Sequence, residues 1–202
     1  PIGSRGLGDV YKRQSLHNVF TSIATALYLG ESLETISSQV RTLPVVDMRL
    51  QQVRGIHNAQ LVLDYYNVDY QSIVMAIDFL NQQKIENQKC SIILSDILVS
   101  NYRGKNLYKK INALLANNQI VEFIGIGEHL KDSKKYFTVK SFFYKSTEDF
   151  LERHPMHQFK NQMVLIKGAR KFKFELIAER LKLKTHQTAL HVNLTRLQHN
   201  VN

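Results

Sequence analysis

The sequence predicts an α/β fold with a mostly parallel sheet of about six strands, an antiparallel hairpin at its start and helices on both faces. Short, wholly apolar runs such as residues 91–94 and 163–166 are typical of strands buried on both faces of a parallel sheet. Amphipathic stretches of helical period separate these runs, as in successive βαβ units. Residues 55–58 are too few for a crossover, so the first two strands are expected to form the hairpin.

Each element follows from its local pattern. Before residue 48 the apolar spacing predicts two helices, over 17–29 with Gly30 as its stop, and over 33–40. The strands that follow are predicted at 49–54, 59–64, 91–95, 121–126, 141–144 and 162–167. The helices between them are predicted at 72–83, 104–117, 129–135, 147–153 and 169–183. A last strand is predicted at 189–194.

Composition limits the class of protein. The chain has 202 residues, of which 44% are hydrophobic, and no apolar run approaches the roughly 18 to 20 residues that span a bilayer. A single cysteine, Cys90, cannot form an internal disulfide, which agrees with a reducing compartment. We therefore expect a folded cytoplasmic protein with no membrane span. Cys90 itself is expected to be a small buried hydrophobe.

The net charge of +10 lies mostly in two short pieces. Residues 1–14 hold three of the nine glycines and three basic residues, and are expected to be a foreign or disordered tail. Residues 160–184 hold eight basic residues and two acidic ones. This second piece raises an alternative function, a basic α/β module that binds nucleic acid through a helix over 169–184. The basic residues are spread around that predicted helix, as on a solvated surface, so we expect no nucleic-acid partner.

Three polar clusters follow predicted parallel strands, at residues 64–69, 95–96 and 167–170. In an open α/β sheet, ligands bind beyond the carboxyl ends of the strands, so the clusters are expected to share one rim. Carboxylates opposed by a lysine and an arginine can hold a polar, charged substrate. The alternative is that these residues cap helices and stay solvated. The histidines at 129, 154 and 157 show no metal-ligand spacing and are expected at the surface.

Residues 48–185 resemble the C-terminal domain of Mur ligases of the MurF type, through four motifs in the same order. Met48-Arg49-Leu50-Gln51 resembles R-L-E, and the run from Asp64 to Ser72 resembles D-S-Y-N-A-N-P-x-S. Leu94-Ser95-Asp96-Ile97-Leu98 resembles L-G-D-M-x-E-L, and Lys167-Gly168-Ala169-Arg170 with Glu175 resembles K-G-S-R followed by a helix glutamate. The resemblance implies a Rossmann-like fold for this domain.

The flanks resemble two further domains. His17-Asn18-Val19-Phe20-Thr21 is similar to the H-N-x-x-N segment that ends the central ATPase domain of this family, here residues 15–47. Residues 186–202 resemble the start of alanine racemase, as in fused polypeptides of the two enzymes. The predicted organisation is therefore 1–14 tail, 15–47 end of the ATPase domain, 48–185 C-terminal domain and 186–202 racemase start.

The resemblance implies an ATP-dependent ligase of peptidoglycan precursor synthesis. Such an enzyme adds D-alanyl-D-alanine to UDP-N-acetylmuramoyl-tripeptide through an acyl phosphate, and its C-terminal domain closes over the nucleotide as a lid. The sequence holds no G-x-x-x-x-G-K-[ST] phosphate loop, so the main residues for ATP and Mg²⁺ are expected in upstream domains. Pyridoxal phosphate (PLP) would belong to the racemase part alone. The chain is expected to be inactive by itself, with no catalytic or metal-binding residue of its own.

By the same resemblance, individual residues receive roles. Those expected to contact ATP are Asn18 near the adenine, Arg49 at a phosphate and Asp64 at the ribose hydroxyls. Those expected at the rim that receives the dipeptide are Asn67, Asp69, Asp96, Lys167 and Arg170.

Overall fold

A computed structural model describes residues 19–41, 49–97 and 104–183. The helices are α1 (residues 19–28), α2 (Leu33–Arg41), α3 (Tyr70–Gln83), α4 (Lys105–Asn117), α5 (Glu128–Asp132), α6 (Thr147–Arg153) and α7 (Glu175–Leu181). The strands are β1 (Gln51–Arg54), β2 (Gln60–Asp64), β3 (Cys90–Ser95), β4 (Ile120–Ile126), β5 (Ser141–Tyr144) and β6 (Met163–Lys167). The strand predicted at 189–194 lies outside the described residues.

The six strands form one mixed sheet in the order β1-β2-β6-β3-β4-β5. β1 and β2 are antiparallel, and every other neighbouring pair is parallel. The predicted α/β class is confirmed, and so is the hairpin. The link over residues 55–58 is too short for a crossover between parallel strands, so it joins antiparallel neighbours. Because β6 lies between β2 and β3, the ends of these three strands meet at the middle of one edge.

Helices cover both faces of the sheet, as predicted. On one face, α3 and α4 pack their apolar stripes on side chains such as Val62, Ile92 and Leu165. On the other face, α6 and α7 pack on the alternate residues of the same strands, among them Leu63 and Val164. This alternation follows from the two-residue period of a strand, and it explains why the central strands β3 and β6, which are covered on both faces, are apolar over most of their length.

The continuous helix predicted over residues 169–183 is wrong. The chain forms a 3₁₀ turn at Arg170–Phe172, and Lys173 then adopts a left-handed conformation with φ 51° and ψ 47° before α7 begins. The basic residues of this region therefore lie on a turn and a short helix that carries only Arg180 in its last turn. The basic helix on which the nucleic-acid alternative depended is not formed among the described residues.

The described N-terminal segment is a pair of helices. Gly30, at φ +93°, ends α1 by donating to the carbonyl of Leu27, as the sequence predicted for this glycine. An apolar groove of about 570 Å³ lies between α1 and α2. In the part of the chain that the structure describes, no helix is long and apolar enough to cross a membrane.

The sheet-bearing unit, residues 49–183, begins and ends at opposite edges of the sheet. Arg49 precedes β1 at the edge where β2 and β6 finish, because Gln51 pairs with Leu63. At the far end of β1, the N–H of Leu183 donates to the carbonyl of Arg54, 2.9 Å away, and Lys182 forms an isolated bridge with Gly55. The chain thus enters this unit at the carboxyl edge and leaves it at the amino edge.

Candidate functional site

The carboxyl ends of β2, β6 and β3 bring all three predicted polar clusters into contact. Asp64 is the register partner of Lys167, and Lys167 is also the partner of Leu94, directly before Ser95. The hydroxyl of Ser95 accepts from the N–H of Ala169, 2.8 Å away. The end of β3 is therefore joined to the loop after β6 by this hydrogen bond.

Lys167 is the buried centre of this edge, with 1% of its side chain exposed. It shares a sheet face with Leu165 because side chains alternate along β6, and this directs it toward α3. Its ammonium lies 2.6 Å from Oδ2 of Asp64 and donates to the carbonyl of Asn67, 3.2 Å away. A buried ammonium needs such partners, and these two join β6 to the loop after β2.

A cavity of about 300 Å³ opens beside this pair. Its lining comprises the residues around the start of β1, the loop after β2 and the first turns of α3, namely Arg49, Leu50, Asp64, Tyr66, Asn67, Asp69, Ser72, Met75, Ala76 and Lys167. Its volume is at the lower end of the range of about 300 to 1,000 Å³ that small-molecule sites occupy. The cavity can therefore enclose at least part of a nucleotide.

The loop that carries Asn67 and Asp69 is fixed by its own hydrogen bonds. Asp69 is the N-cap of α3: Oδ1 accepts from the N–H of Ser72 at 2.9 Å, and the Ser72 hydroxyl accepts from the N–H of Asp69 at 3.0 Å. Oδ1 of Asn67 accepts from the N–H of Val68. Two of the predicted dipeptide contacts thus also serve the local fold, as the alternative interpretation of these residues expected.

Tyr66 links two of the predicted anion-binding arginines. The guanidinium carbon of Arg49 lies 5.0 Å from the centre of the Tyr66 ring, and that of Arg170 lies 5.9 Å from it. Arg170 does not itself line the cavity. Sequence reasoning did not assign Tyr66 a role, although it stands at the tyrosine of the D-S-Y-N motif, which was the available signal.

Asp96 does not join the other rim residues. It is 3% exposed, and its two carboxylate oxygens accept from the N–H groups of His129, at 3.1 Å, and Leu130, at 2.8 Å. These N–H groups belong to the first turn of α5, whose positive end favours a carboxylate. The reason is sheet order: β4, which leads into α5, is the neighbour of β3 on the side away from β6. Asp96 therefore holds α5 and does not line the cavity.

The cavity contains groups that suit a nucleotide. Arg49 offers a forked cation for phosphate, and among the described residues Oδ1 of Asp64 has no hydrogen-bond partner. Nowhere in residues 19–41, 49–97 and 104–183 do three or more His, Cys, Asp or Glu side chains form a group that could hold a metal ion. Asn18 lies outside the described residues, as does the racemase-like segment.

A second polar cluster, which the sequence did not indicate, lies beside β4 and β5, at the end of the strand order farthest from β1. His154, expected at the surface, is buried with no exposed side-chain area, since it stacks between Phe150 and Phe159. Its Nδ1 pairs with the hydroxyl of Tyr144 at 2.9 Å, and its Nε2 lies 3.9 Å from Oε1 of Glu122. Among the described residues, neither Nε2 nor Oε1 has a hydrogen-bond partner.

The environment of His154 shifts its titration. Burial is the largest influence and lowers the pKa of the imidazole below its ordinary value, and the carboxylate of Glu122 offsets part of that shift. Lys140, which forms a salt bridge to the other oxygen of Glu122, and His157 lower the pKa further. The ring is therefore neutral at pH 7, and its role is to fill an aromatic cluster. His129 and His157 are exposed, as predicted.

No family model matches the chain. In sequence, the chain is 26% identical over 189 residues to the UDP-N-acetylmuramoyl-tripeptide--D-alanyl-D-alanine ligase of Buchnera aphidicola subsp. Baizongia pistaciae, a match that covers 89% of the chain and 40% of the relative. It is 24% identical over 158 residues to the ligase of the same name from Rickettsia prowazekii, covering 75% of the chain and 33% of the relative. The chain thus spans two fifths or less of the length of these relatives.

Solved structures show the same architecture. MurF from Acinetobacter baumannii superposes with a TM-score of 0.66 at 22% identity, over 81% of the chain and 36% of that structure. MurF ligase from Thermotoga maritima, solved in complex with ADP, gives a TM-score of 0.58 at 18% identity, over 82% of the chain and 37% of that structure. At these identities the structures establish the fold, and the curated relatives add the likeness in sequence. The resemblance to MurF-type Mur ligases that the motifs predicted is therefore confirmed.

Proposed function

We propose that this chain supplies the nucleotide- and dipeptide-binding lid of an ATP-dependent ligase that adds D-alanyl-D-alanine to UDP-N-acetylmuramoyl-tripeptide. The observation that carries this proposal is the cavity at the carboxyl edge, where Arg49, Asp64, Asn67, Asp69 and Lys167 converge. Two relatives carry the name of this activity, and the Thermotoga maritima structure holds ADP, which supports a nucleotide as one ligand of this fold.

In this proposal the side chains act on different parts of the ligands. Arg49 binds a phosphate through its two-pronged guanidinium. Asp64 accepts from ribose hydroxyls through Oδ1, while Lys167 holds Oδ2 and so fixes the direction of the carboxylate. Because the ammonium of Lys167 is buried and has two partners, we assign it to positioning Asp64. Asn67 and Asp69 face the amine of the incoming dipeptide.

The remaining parts of the proposal concern segments beyond the described residues. A second surface, from an upstream ATPase domain, is proposed to complete the open cavity and to supply the ligands of Mg²⁺. Residues 15–47, including Asn18, are proposed to end that domain. The racemase-like segment at 186–202, with PLP in the part that would follow, stays a prediction from sequence, as does a cytoplasmic location.

The test is an assay of the chain joined to the upstream ATPase region encoded in its own reading frame. We expect phosphate release that requires ATP, UDP-N-acetylmuramoyl-tripeptide and D-alanyl-D-alanine together. Asp64→Ala is expected to raise the KM for ATP, and Arg49→Ala to lower kcat more than it changes the KM for the dipeptide. Arg153→Ala is the matched control, since Arg153 is a surface arginine paired with Asp149 away from the cavity.

Two results would overturn the proposal. Phosphate release independent of D-alanyl-D-alanine would remove the ligase assignment, and unchanged kinetics in both cavity variants would remove the cavity from the reaction. A titration with labelled DNA at rising salt tests the alternative function. Submicromolar binding with a steep salt dependence would favour the nucleic-acid module instead.

A further inference from the structure

The turn after β6 is held at both ends by buried hydroxyl groups from other elements. At its start, the hydroxyl of Ser95, at the end of β3, accepts from the N–H of Ala169, 2.8 Å away. At its end, the hydroxyl of Thr147, the first residue of α6, donates to the carbonyl of Phe172. Ser95 is 0% and Thr147 2% exposed, so these contacts are shielded from water. The turn is therefore tied to two elements that are distant from it along the chain.

Two departures from the family motifs meet at the first of these contacts. Ser95 stands at the glycine of L-G-D, and Ala169 stands at the serine of K-G-S-R. A serine at position 169 would be the N-cap of the turn, where its hydroxyl can accept from the N–H groups that follow. Ala169 makes no such bond, and the hydroxyl of Ser95 holds the N–H of Ala169 instead. The chain therefore keeps one hydroxyl at this place, supplied by the neighbouring strand.

The turn ends in a backbone conformation that needs support. Lys173 has φ 51° and ψ 47°, in the left-handed region that lysine rarely adopts. Phe174 follows it into the core, so close to Gly168 that a Cβ there would lie 2.6 Å from its ring. Such a backbone persists where the surrounding contacts determine it. The hydroxyls of Ser95 and Thr147 are two of these contacts.

The turn carries an exposed cation beside the cavity. Arg170 is its first residue, and the guanidinium carbon lies 5.9 Å from the centre of the Tyr66 ring. Arg170 does not line the cavity, but Tyr66 does, so the guanidinium lies at the rim. Arg170 forms no salt bridge with any residue that the structure describes. Its charge is therefore available to an anionic group of a ligand.

We propose that Ser95 and Thr147 are positioning residues that hold this turn so that Arg170 meets the carboxylate of the incoming dipeptide. In the proposed function the two other cations of this edge have partners, since Arg49 binds a phosphate and Lys167 is paired within the chain. The dipeptide brings a free carboxylate that suits a forked cation. A turn that is fixed before the ligand arrives loses less conformational entropy on binding. The identity of the ligand rests on the proposed function, whereas the hold on the turn rests on the two hydrogen bonds.

The hold on the turn is tested without a ligand, by hydrogen exchange of the backbone amides in nuclear magnetic resonance spectra of the 202-residue chain. Ser95→Ala should speed the exchange of the Ala169 N–H at least about tenfold, because this group loses its acceptor. Ser91→Ala is the matched control, since Ser91 is equally buried on the same strand and donates to Gln162 at the other edge. An Ala169 exchange rate that is equal in Ser95→Ala and Ser91→Ala would overturn the hold.

The effect on binding is measured by calorimetry with D-alanyl-D-alanine. Ser95→Ala and Thr147→Val should each weaken binding about fivefold, whereas Thr147→Ser, which keeps the hydroxyl, should stay within about twofold of the parent chain. Ser95→Ala should cost nothing further when Arg170 is already alanine, because it acts through that residue. An added loss in that double variant would overturn the positioning role, as would equal losses in Thr147→Val and Thr147→Ser.

A rescue variant tests the exchange of hydroxyls between the two motifs. Adding Ala169→Ser to Ser95→Ala returns a hydroxyl to the turn at its N-cap. The double variant should bind D-alanyl-D-alanine within about twofold of the parent chain. A double variant as weak as Ser95→Ala alone would show that a hydroxyl at this place is not what holds the turn.

Further arms separate this inference from the proposed function. Inorganic pyrophosphate probes the phosphate site proposed at Arg49, and its affinity should not change in Ser95→Ala. If pyrophosphate, and not the dipeptide, depends on Ser95, or if the parent chain binds no dipeptide, the carboxylate assignment is wrong. If dipeptide binding depends on Ser95 but the extended chain releases no phosphate with its three substrates, the positioning role stands and the ligase function fails. Ligase activity with an unchanged KM for the dipeptide in Ser95→Ala would leave the function standing and overturn the inference.

Discussion

Replacing Asp64 by Asn should destabilise the chain by about 3 kcal/mol, because it leaves a buried ammonium without its counter-ion. Lys167 has 1% of its side chain exposed, so water cannot replace the lost charge, and only neutral acceptors would remain, namely the carbonyl of Asn67 and the amide oxygen of the new side chain. Lys167→Met should cost less, about 1 to 2 kcal/mol, since Asp64 is 15% exposed and can be partly hydrated. Asp64→Asn should therefore cost more than Lys167→Met, because Lys167 is more deeply buried than Asp64.

Urea unfolding of the 202-residue chain, followed by circular dichroism, measures these differences. The double variant, Asp64→Asn with Lys167→Met, should regain at least half of the larger single loss, because it leaves no unpaired buried charge. Arg153→Ala, which breaks the exposed pair with Asp149, should leave the unfolding midpoint unchanged. A loss below about 1 kcal/mol for Asp64→Asn, or a larger loss for Lys167→Met, would refute the assigned burial.

Three further predictions concern residues around the sheet. Asp96→Ala should lower the free energy of unfolding in urea by about 3 kcal/mol, since it deprives two backbone N–H groups of α5 of a charged acceptor. It should leave the affinity for inorganic pyrophosphate unchanged. A weaker affinity in the folded variant would show that Asp96 belongs to the ligand site. Gly168→Ala should lower the melting temperature, because an added Cβ would lie 2.6 Å from a ring carbon of Phe174, and an unchanged temperature would contradict that contact. The pKa of His154 is lower in the folded chain than in the unfolded chain, so the unfolded chain takes up this proton at a higher pH. The stability that depends on the neutral ring is therefore present above about pH 6.5 and is lost as the pH falls below that value. His154→Phe should therefore reduce the loss of unfolding free energy between about pH 7.5 and about pH 5.5, and an equal loss in both chains would contradict the burial of the charge-free imidazole.

Most of the sheet could be predicted because its strands are short apolar runs with clear ends. The strand over 141–144 and the helix over 147–153 have the predicted bounds, and the bounds of the other strands differ from the prediction by one or two residues. The helix predicted over 129–135 ends at Asp132 and a 3₁₀ turn follows it, while the continuous helix predicted after β6 is not formed. Lysine is not a residue that favours the left-handed conformation, so nothing in the local sequence indicated that Lys173 would divide the helix.

The candidate site was predicted in part, and the failures have a common cause. Asp64 and Lys167 could be placed together because the ends of neighbouring parallel strands coincide. Asp96 and His154 were misplaced because their partners are backbone groups and aromatic rings that only the tertiary fold brings near. The pairing of Tyr66 with two arginines likewise joins three separate loops, and a motif read along the chain contains no such information.

The path of the chain has a practical consequence for experiments on this unit. Arg49 lies beside the cavity, whereas Leu183 lies at the other end of β1, roughly 3.4 Å away for each of its four residues. A fluorescent label or a surface tether attached after Leu183 would leave the cavity mouth open to ligand. The same group attached ahead of Arg49 would compete for the space in front of it, so immobilised binding assays should anchor the chain from its C-terminal side.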